Sequence, residues 1–119
     1  MYCLDTYALV EIKRGNPSFA WLLNEKFILS ELTLCEFFSV LYKEEGLDEA
    51  SKWTKKLEPF AVHTTLKILN EAMKFRIDEK KKNLSFFDAA GYFTAINENT
   101  LFVTGDKEFK NMPDVKFIK

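Results

Sequence analysis

Tyr2-Cys3-Leu4 is a short apolar run that passes directly into Asp5 and Thr6. A run this short reads as a strand, and its lack of polar alternation suits a central, buried place in a sheet. Asp5 then emerges at the carboxyl end of that strand, where open α/β sheets place their ligands. Three more acids stand at comparable places, namely Glu36, Asp88 and Asp106. The expectation is that the chain folds to gather these four carboxylates round one divalent metal site.

Further strands are expected at Phe27–Ser30, Phe60–Val62, Thr100–Thr104 and Val115–Ile118, the last at an edge. Helical segments alternate with them. Asp5 or Thr6 caps a first helix that ends at Gly15, and Asn16-Pro17 opens a second that runs to Asn24-Glu25. Thr33-Leu34-Cys35-Glu36 matches a capping box at the start of a helix that Gly46 ends, and Leu47–Leu57 forms the next. Thr64 or Thr65 caps a long helix from Leu66 to about Glu79, with Leu66, Leu69, Met73 and Ile77 at helical spacing. Ser85-Phe86-Phe87-Asp88 is a second capping-box match, and the helix it starts is rich in small residues that permit close approach. Strands alternating with helices indicate one α/β domain over residues 1–119, with a mostly parallel sheet.

With 47% hydrophobic and 15% aromatic residues, the 119-residue chain can fill a core of its own. No apolar run approaches the ~20 residues of a membrane span. Asp5 and Glu11 interrupt any basic-then-apolar leader, so none is expected. A net charge of −1 excludes a generally basic nucleic-acid binder, so such contacts require a local basic patch or a metal. Cys3 and Cys35 lie in apolar contexts and read as free buried thiols of a reducing cytoplasm, with a disulfide as the alternative. One His and no Cys–His spacing leave no zinc motif.

Each acid also has a purely structural reading. Asp5 serves equally well as a helix cap or as a ligand. Glu36 and Asp88 fit capping boxes, where the helix dipole favours an acid, and Asp106 fits a turn after Gly105. Their joint placement carries more. Asp5 and Asp106 end strands, while Glu36 and Asp88 lie in first helical turns. If the two strands are neighbours, the acids meet at one edge of the sheet, and such a cluster calls for a cation. A hard ion such as Mg²⁺ takes oxygen ligands, activates water and stabilises charge on a phosphate, with no need of a His, Cys or Ser nucleophile.

The sequence resembles the PIN-domain family of metal-dependent nucleases, especially its small VapC-like toxins. The resemblance rests on Tyr2–Thr6, Leu32–Phe37, Leu84–Ala90 and Phe102–Phe109, in this order, and covers nearly the whole chain. It implies a PIN-like three-layer α/β/α fold around a central mostly parallel sheet. It implies an endoribonuclease that uses Mg²⁺ or Mn²⁺ and leaves a 3′-hydroxyl and a 5′-phosphate, as the toxin of a type II toxin–antitoxin module. The rival readings are a PIN nuclease of RNA maturation or decay without an antitoxin, and a catalytically silent RNA- or protein-binding module. By position, Asp5 and Asp88 become direct metal ligands, Asp106 holds the same ion or a second, and Glu36 orients water or completes the shell. Thr6 and Thr104 match hydroxyls beside the site. Where the family usually carries Arg after that Thr, this chain has Gly105, which leaves the acids intact and alters contacts to substrate. An antitoxin in an apolar groove of the early helices, a homodimer and a cytoplasmic location are implied as well.

Lys107 and Lys110 flank Asp106 and are candidates for the RNA backbone, whereas Lys80–Lys82 reads as a solvated run at a helix end. His63 is given no role. Phe37, Phe38, Tyr42, Trp21 and Trp53 are mostly core by this reading, with a surplus on Phe37–Leu57 left for a partner.

Overall fold

A computed structural model covers residues 1–119. Its sheet contains β1 (Tyr2–Leu4), β2 (Phe27–Ser30), β3 (Ala61–Val62), β4 (Leu101–Thr104) and β5 (Val115–Phe117). The order is β3-β2-β1-β4-β5, so β1 is central and β5 is an edge, as expected. All four pairings are parallel, with Cys3 opposite Ile28 on one side and opposite Phe102 on the other. The helices are α1 (Thr6–Lys13), α2 (Pro17–Ala20), α3 (Glu31–Glu45), α4 (Leu47–Leu57), α5 (Leu66–Asp78) and α6 (Phe86–Asn97).

Strand side chains alternate between faces, and the core follows that rule. Leu4, Leu29 and Val103 pack with Leu9, Phe19, Phe37 and Leu41 under the first four helices. Cys3 and Phe102 pack on the opposite face with Tyr92, Ala95 and Phe109. Two covered faces explain why these strands read as continuous apolar runs. Small residues bring α6 close. A Cβ on Gly91 would stand 3.1 Å from the Phe102 ring and 3.2 Å from the Thr33 hydroxyl. No helix is long and apolar enough to cross a membrane.

Several local expectations are corrected. The Thr33–Glu36 capping box does not form. Ser30 has the extended backbone of a cap and its hydroxyl accepts from the Leu32 N–H at 3.0 Å, so α3 begins earlier and Thr33 is buried inside it. The segment after Pro17 is a single α turn followed by a 3₁₀ turn, Trp21–Asn24, rather than one helix. On α5 the buried residues are Ile68 and Ala72, while Leu66, Met73 and Ile77 are exposed. Small Ala72 lets α5 sit against Ala89 and Ala90 of α6, and that face wins over the bulkier stripe. Cys3 is buried and Cys35 is exposed, both as free thiols, so only the first matches the buried reading. Lys82 is not wholly solvated, because its Nζ donates to the Glu108 carbonyl at 3.2 Å.

Candidate active site

Because β1 and β4 are neighbours, Asp5 and Thr104 leave the sheet side by side, and the Asp5 N–H donates to the Val103 carbonyl at 3.2 Å. Each acid is held by local hydrogen bonds. Asp5 caps α1 through Oδ1, which accepts from the Ala8 N–H at 2.8 Å. Asp88 and Ser85 form the expected capping box, each side chain accepting from the other's backbone N–H at 3.1 Å. Asp106 Oδ1 accepts from the Glu108 N–H at 2.9 Å, and the Asp106 N–H donates to the Thr104 hydroxyl at 3.0 Å. Glu36 is no cap; its Oε1 accepts from the Thr6 hydroxyl at 2.5 Å. Structural and functional readings therefore coexist. At least one oxygen of Asp88, Asp106 and Glu36 is engaged locally.

Asp5, Asp88 and Asp106 line one open cavity of about 380 Å³. Glu36 lies outside its wall and is coupled to it through the charge of Asp88. Lys107 lines the cavity, whereas Lys110 sits apart with its Nζ 5.8 Å over the Phe117 ring. Tyr7, Gly105 and Lys119 complete the wall; from sequence only Gly105 is marked, as the position after Thr104 that alters substrate contacts, and Tyr7 and Lys119 are missed. Tyr7 follows Asp5 by two residues in the first turn of α1, which was a usable signal. Lys119 lies two residues beyond Phe117, which pairs with Thr104, so the β4–β5 register brings it level with Asp106. That register is invisible without the fold.

The electrostatics are those of an anionic pocket in need of a cation. Burial pushes the Asp5 carboxyl up to about 7, the Thr104 hydroxyl and the Ala8 N–H pull it down, and Asp88 and Asp106 push it up further. Burial also raises Asp88, against the Ser85 N–H and hydroxyl, with Asp106 adding to the rise. Glu36 is raised by burial, lowered by Thr6 and raised by Asp88. No three His, Cys, Asp or Glu side chains are grouped closely enough to hold one metal ion together, so the convergence of four acids on a single ion expected from sequence does not occur. The donor set is made of carboxylate oxygens alone. That fits a hard divalent ion held by one or two carboxylates while it keeps most of its waters, and not a zinc-type site.

Comparison with known proteins follows the same lines. The solved structure of VapC20 from Mycobacterium tuberculosis, a Sarcin-Ricin loop cleaving toxin, is similar with a TM-score of 0.82 at 16% identity, over 100% of both chains. A toxin–antitoxin complex from Klebsiella pneumoniae is similar at 0.77 and 19% identity, covering 98% of this chain and 96% of that one. PAE2754 from Pyrobaculum aerophilum is similar at 0.70 and 25% identity, covering 98% and 89%. No curated protein matches the sequence. The family model for the PIN domain matches residues 2–115. With that match spanning almost all of the chain, and with the parallel sheet and its acid-lined edge in place, the protein belongs to the PIN domain family.

Proposed function

We propose that this protein is a divalent-metal-dependent endoribonuclease and the toxin of a toxin–antitoxin pair. The observation that carries the reading is the meeting of Asp5, Asp88 and Asp106 in one cavity at the carboxyl ends of β1 and β4, with Glu36 coupled to them. Asp5 and Asp88 would hold the ion, Mg²⁺ or Mn²⁺, and Asp106 would complete its shell or hold a second. When bound, such an ion lowers the pKa of water and stabilises the charge building on a phosphate. Glu36, fixed by Thr6, orients the attacking water. Thr104 steadies both Asp5 and the Asp106 backbone. Water adds to phosphorus in line with the departing 3′ oxygen, leaving a 3′-hydroxyl and a 5′-phosphate.

The antitoxin part of the reading has its own support. Leu9, Ile12, Leu23, Trp53 and Phe60 line an apolar cavity of about 340 Å³ between α1, α4 and the 3₁₀ turns Trp21–Asn24 and Glu58–Phe60. Leu23 and Phe60 are exposed there, which suits an amphipathic segment from a partner. Several structural neighbours are toxin–antitoxin complexes. A homodimer through the exposed stripe Leu66, Met73 and Ile77 of α5 belongs to the same reading.

The test is cleavage of a fluorogenic oligoribonucleotide panel with Mn²⁺, with Mg²⁺ and with EDTA, beside Asp88→Asn. Cleavage is expected with metal and is lost in EDTA. In the variant it falls by at least ~100-fold, the loss of a group acting on transition-state charge. Metal-independent cleavage, or a variant as active as the parent, defeats the mechanism.

A further inference from the structure

Two chemically distinct sets of side chains line the cavity. Asp5, Asp88 and Asp106 make one, and Tyr7, Lys107 and Lys119 make the other. Lys107 and Lys119 form no ion pair with any carboxylate, although the three acids line the same cavity. The Tyr7 hydroxyl has no hydrogen-bond partner in the protein, and no polar side-chain atom is buried without one, so this hydroxyl is open to solvent. Tyr7 is also held firmly. Its ring packs against Phe19 at 5.9 Å between centroids, and against the backbone of Gly105. A Cβ at position 105 would fall 2.2 Å and 2.5 Å from ring atoms of Tyr7, and 2.7 Å from the Ile118 carbonyl. Real Cβ atoms do not approach that closely, so any side chain at 105 displaces the ring.

We propose that Tyr7, with Lys107 and Lys119, is the wall that binds the phosphate backbone of the RNA, and that Gly105 is required to seat the Tyr7 ring. The inference rests on the ribonuclease reading above and adds to it the groups that hold the substrate. A phosphodiester is a monoanion rich in acceptors. It gains one donor from the Tyr7 hydroxyl and two unpaired ammonium groups, while the carboxylates of the same cavity are left for the metal. Tyr7 is a substrate-positioning residue in this scheme; the acids do the chemistry.

The experiment compares the wild-type chain with Tyr7→Phe, Tyr7→Ala, Lys119→Gln and Gly105→Ala. Three quantities are read: KM and kcat on a fluorogenic oligoribonucleotide with Mn²⁺, anisotropy of the labelled oligonucleotide in an Asp88→Asn background, and the melting temperature. Tyr7→Phe keeps the ring and removes only the hydroxyl. It raises KM and the anisotropy Kd by about tenfold, as for one hydrogen bond to a charged group, with a smaller change in kcat and an unchanged melting temperature. Lys119→Gln shifts KM in the same direction and flattens its salt dependence. Gly105→Ala reproduces the KM defect of Tyr7→Ala while the hydroxyl is still present. Wild-type KM and Kd in Tyr7→Phe overturn the proposal even where cleavage itself is sound. A wild-type chain that neither cuts nor binds any oligoribonucleotide overturns the ribonuclease reading and this inference together. If it binds without cutting, the anisotropy series alone decides the wall.

Discussion

Asp5 is 4% exposed, and burial with two neighbouring carboxylates pushes its carboxyl up to about 7. Between the ordinary Asp range and that value the folded protein binds a proton that the unfolded chain releases. The stabilising form is therefore the protonated one, fully present below about 4 and lost as pH rises through about 7. At about 1.36 kcal/mol per unit, the step from 3.8 to about 7 sets an upper limit on the order of 4 kcal/mol. Metal-free protein should accordingly lose stability between pH 5 and pH 8, and Mn²⁺ should restore it at pH 8 by replacing the proton. Urea midpoints at the two pH values, in EDTA and in Mn²⁺, check this. Asp5→Asn should flatten the profile and abolish the metal effect. A wild-type midpoint in EDTA that does not fall relative to Asp5→Asn would show that Asp5 carries no such strain.

Helix α6 presents Asp88 through its first turn, and the capping box with Ser85 sets that turn. Ser85→Ala removes the oxygen that the Asp88 N–H donates to, and should cost about 1 kcal/mol in urea unfolding. The same change loosens the Asp88 backbone, so the apparent metal affinity should weaken while Asp88 itself is intact. A variant with wild-type stability and metal midpoint would mean the cap does not position the acid. This box was legible in sequence because Ser85 and Asp88 are local partners. So were β1, β4, the caps at Asp5, Asn16 and Thr65, and the helix stop at Gly46. The box at Thr33–Glu36 has the same local pattern and does not exist, since Ser30 caps first and Thr33 faces Gly91 of α6. Leu66, Met73 and Ile77 have helical spacing and still face outward, because close packing on α6 selects Ala72. Local hydrogen-bonding signals survive translation into structure; the choice between two apolar faces, and the arrival of Tyr7 and Lys119 at the acids, depend on packing and on strand register.

At the scale of the whole molecule, the fold concentrates acidic function at one sheet edge of a chain whose net charge is −1. A few of its 17 basic residues are committed elsewhere. Lys13 and Arg14 pair with acids of α1 and α3, Lys74 pairs with Asp78, and Lys82 is tied to Glu108. Lys107 and Lys119 line the cavity free of ion pairs, and Lys110 sits apart over the Phe117 ring. RNA binding through two or three such cations releases few counterions. For a single strand the slope of log K against log salt is roughly −0.7 per phosphate neutralised, which gives about −1.4 to −2 here. A basic-surface binder with many phosphate contacts would be several times steeper. Anisotropy titrations of a labelled oligoribonucleotide with Asp88→Asn protein, between 50 mM and 300 mM salt, measure the slope directly. Replacing Lys107 and Lys119 by Gln should make it shallower by about 1.4. A slope steeper than about −4 in the parent would mean that RNA runs over a much larger basic surface than this cavity wall, and the site would have to be redrawn across the helices.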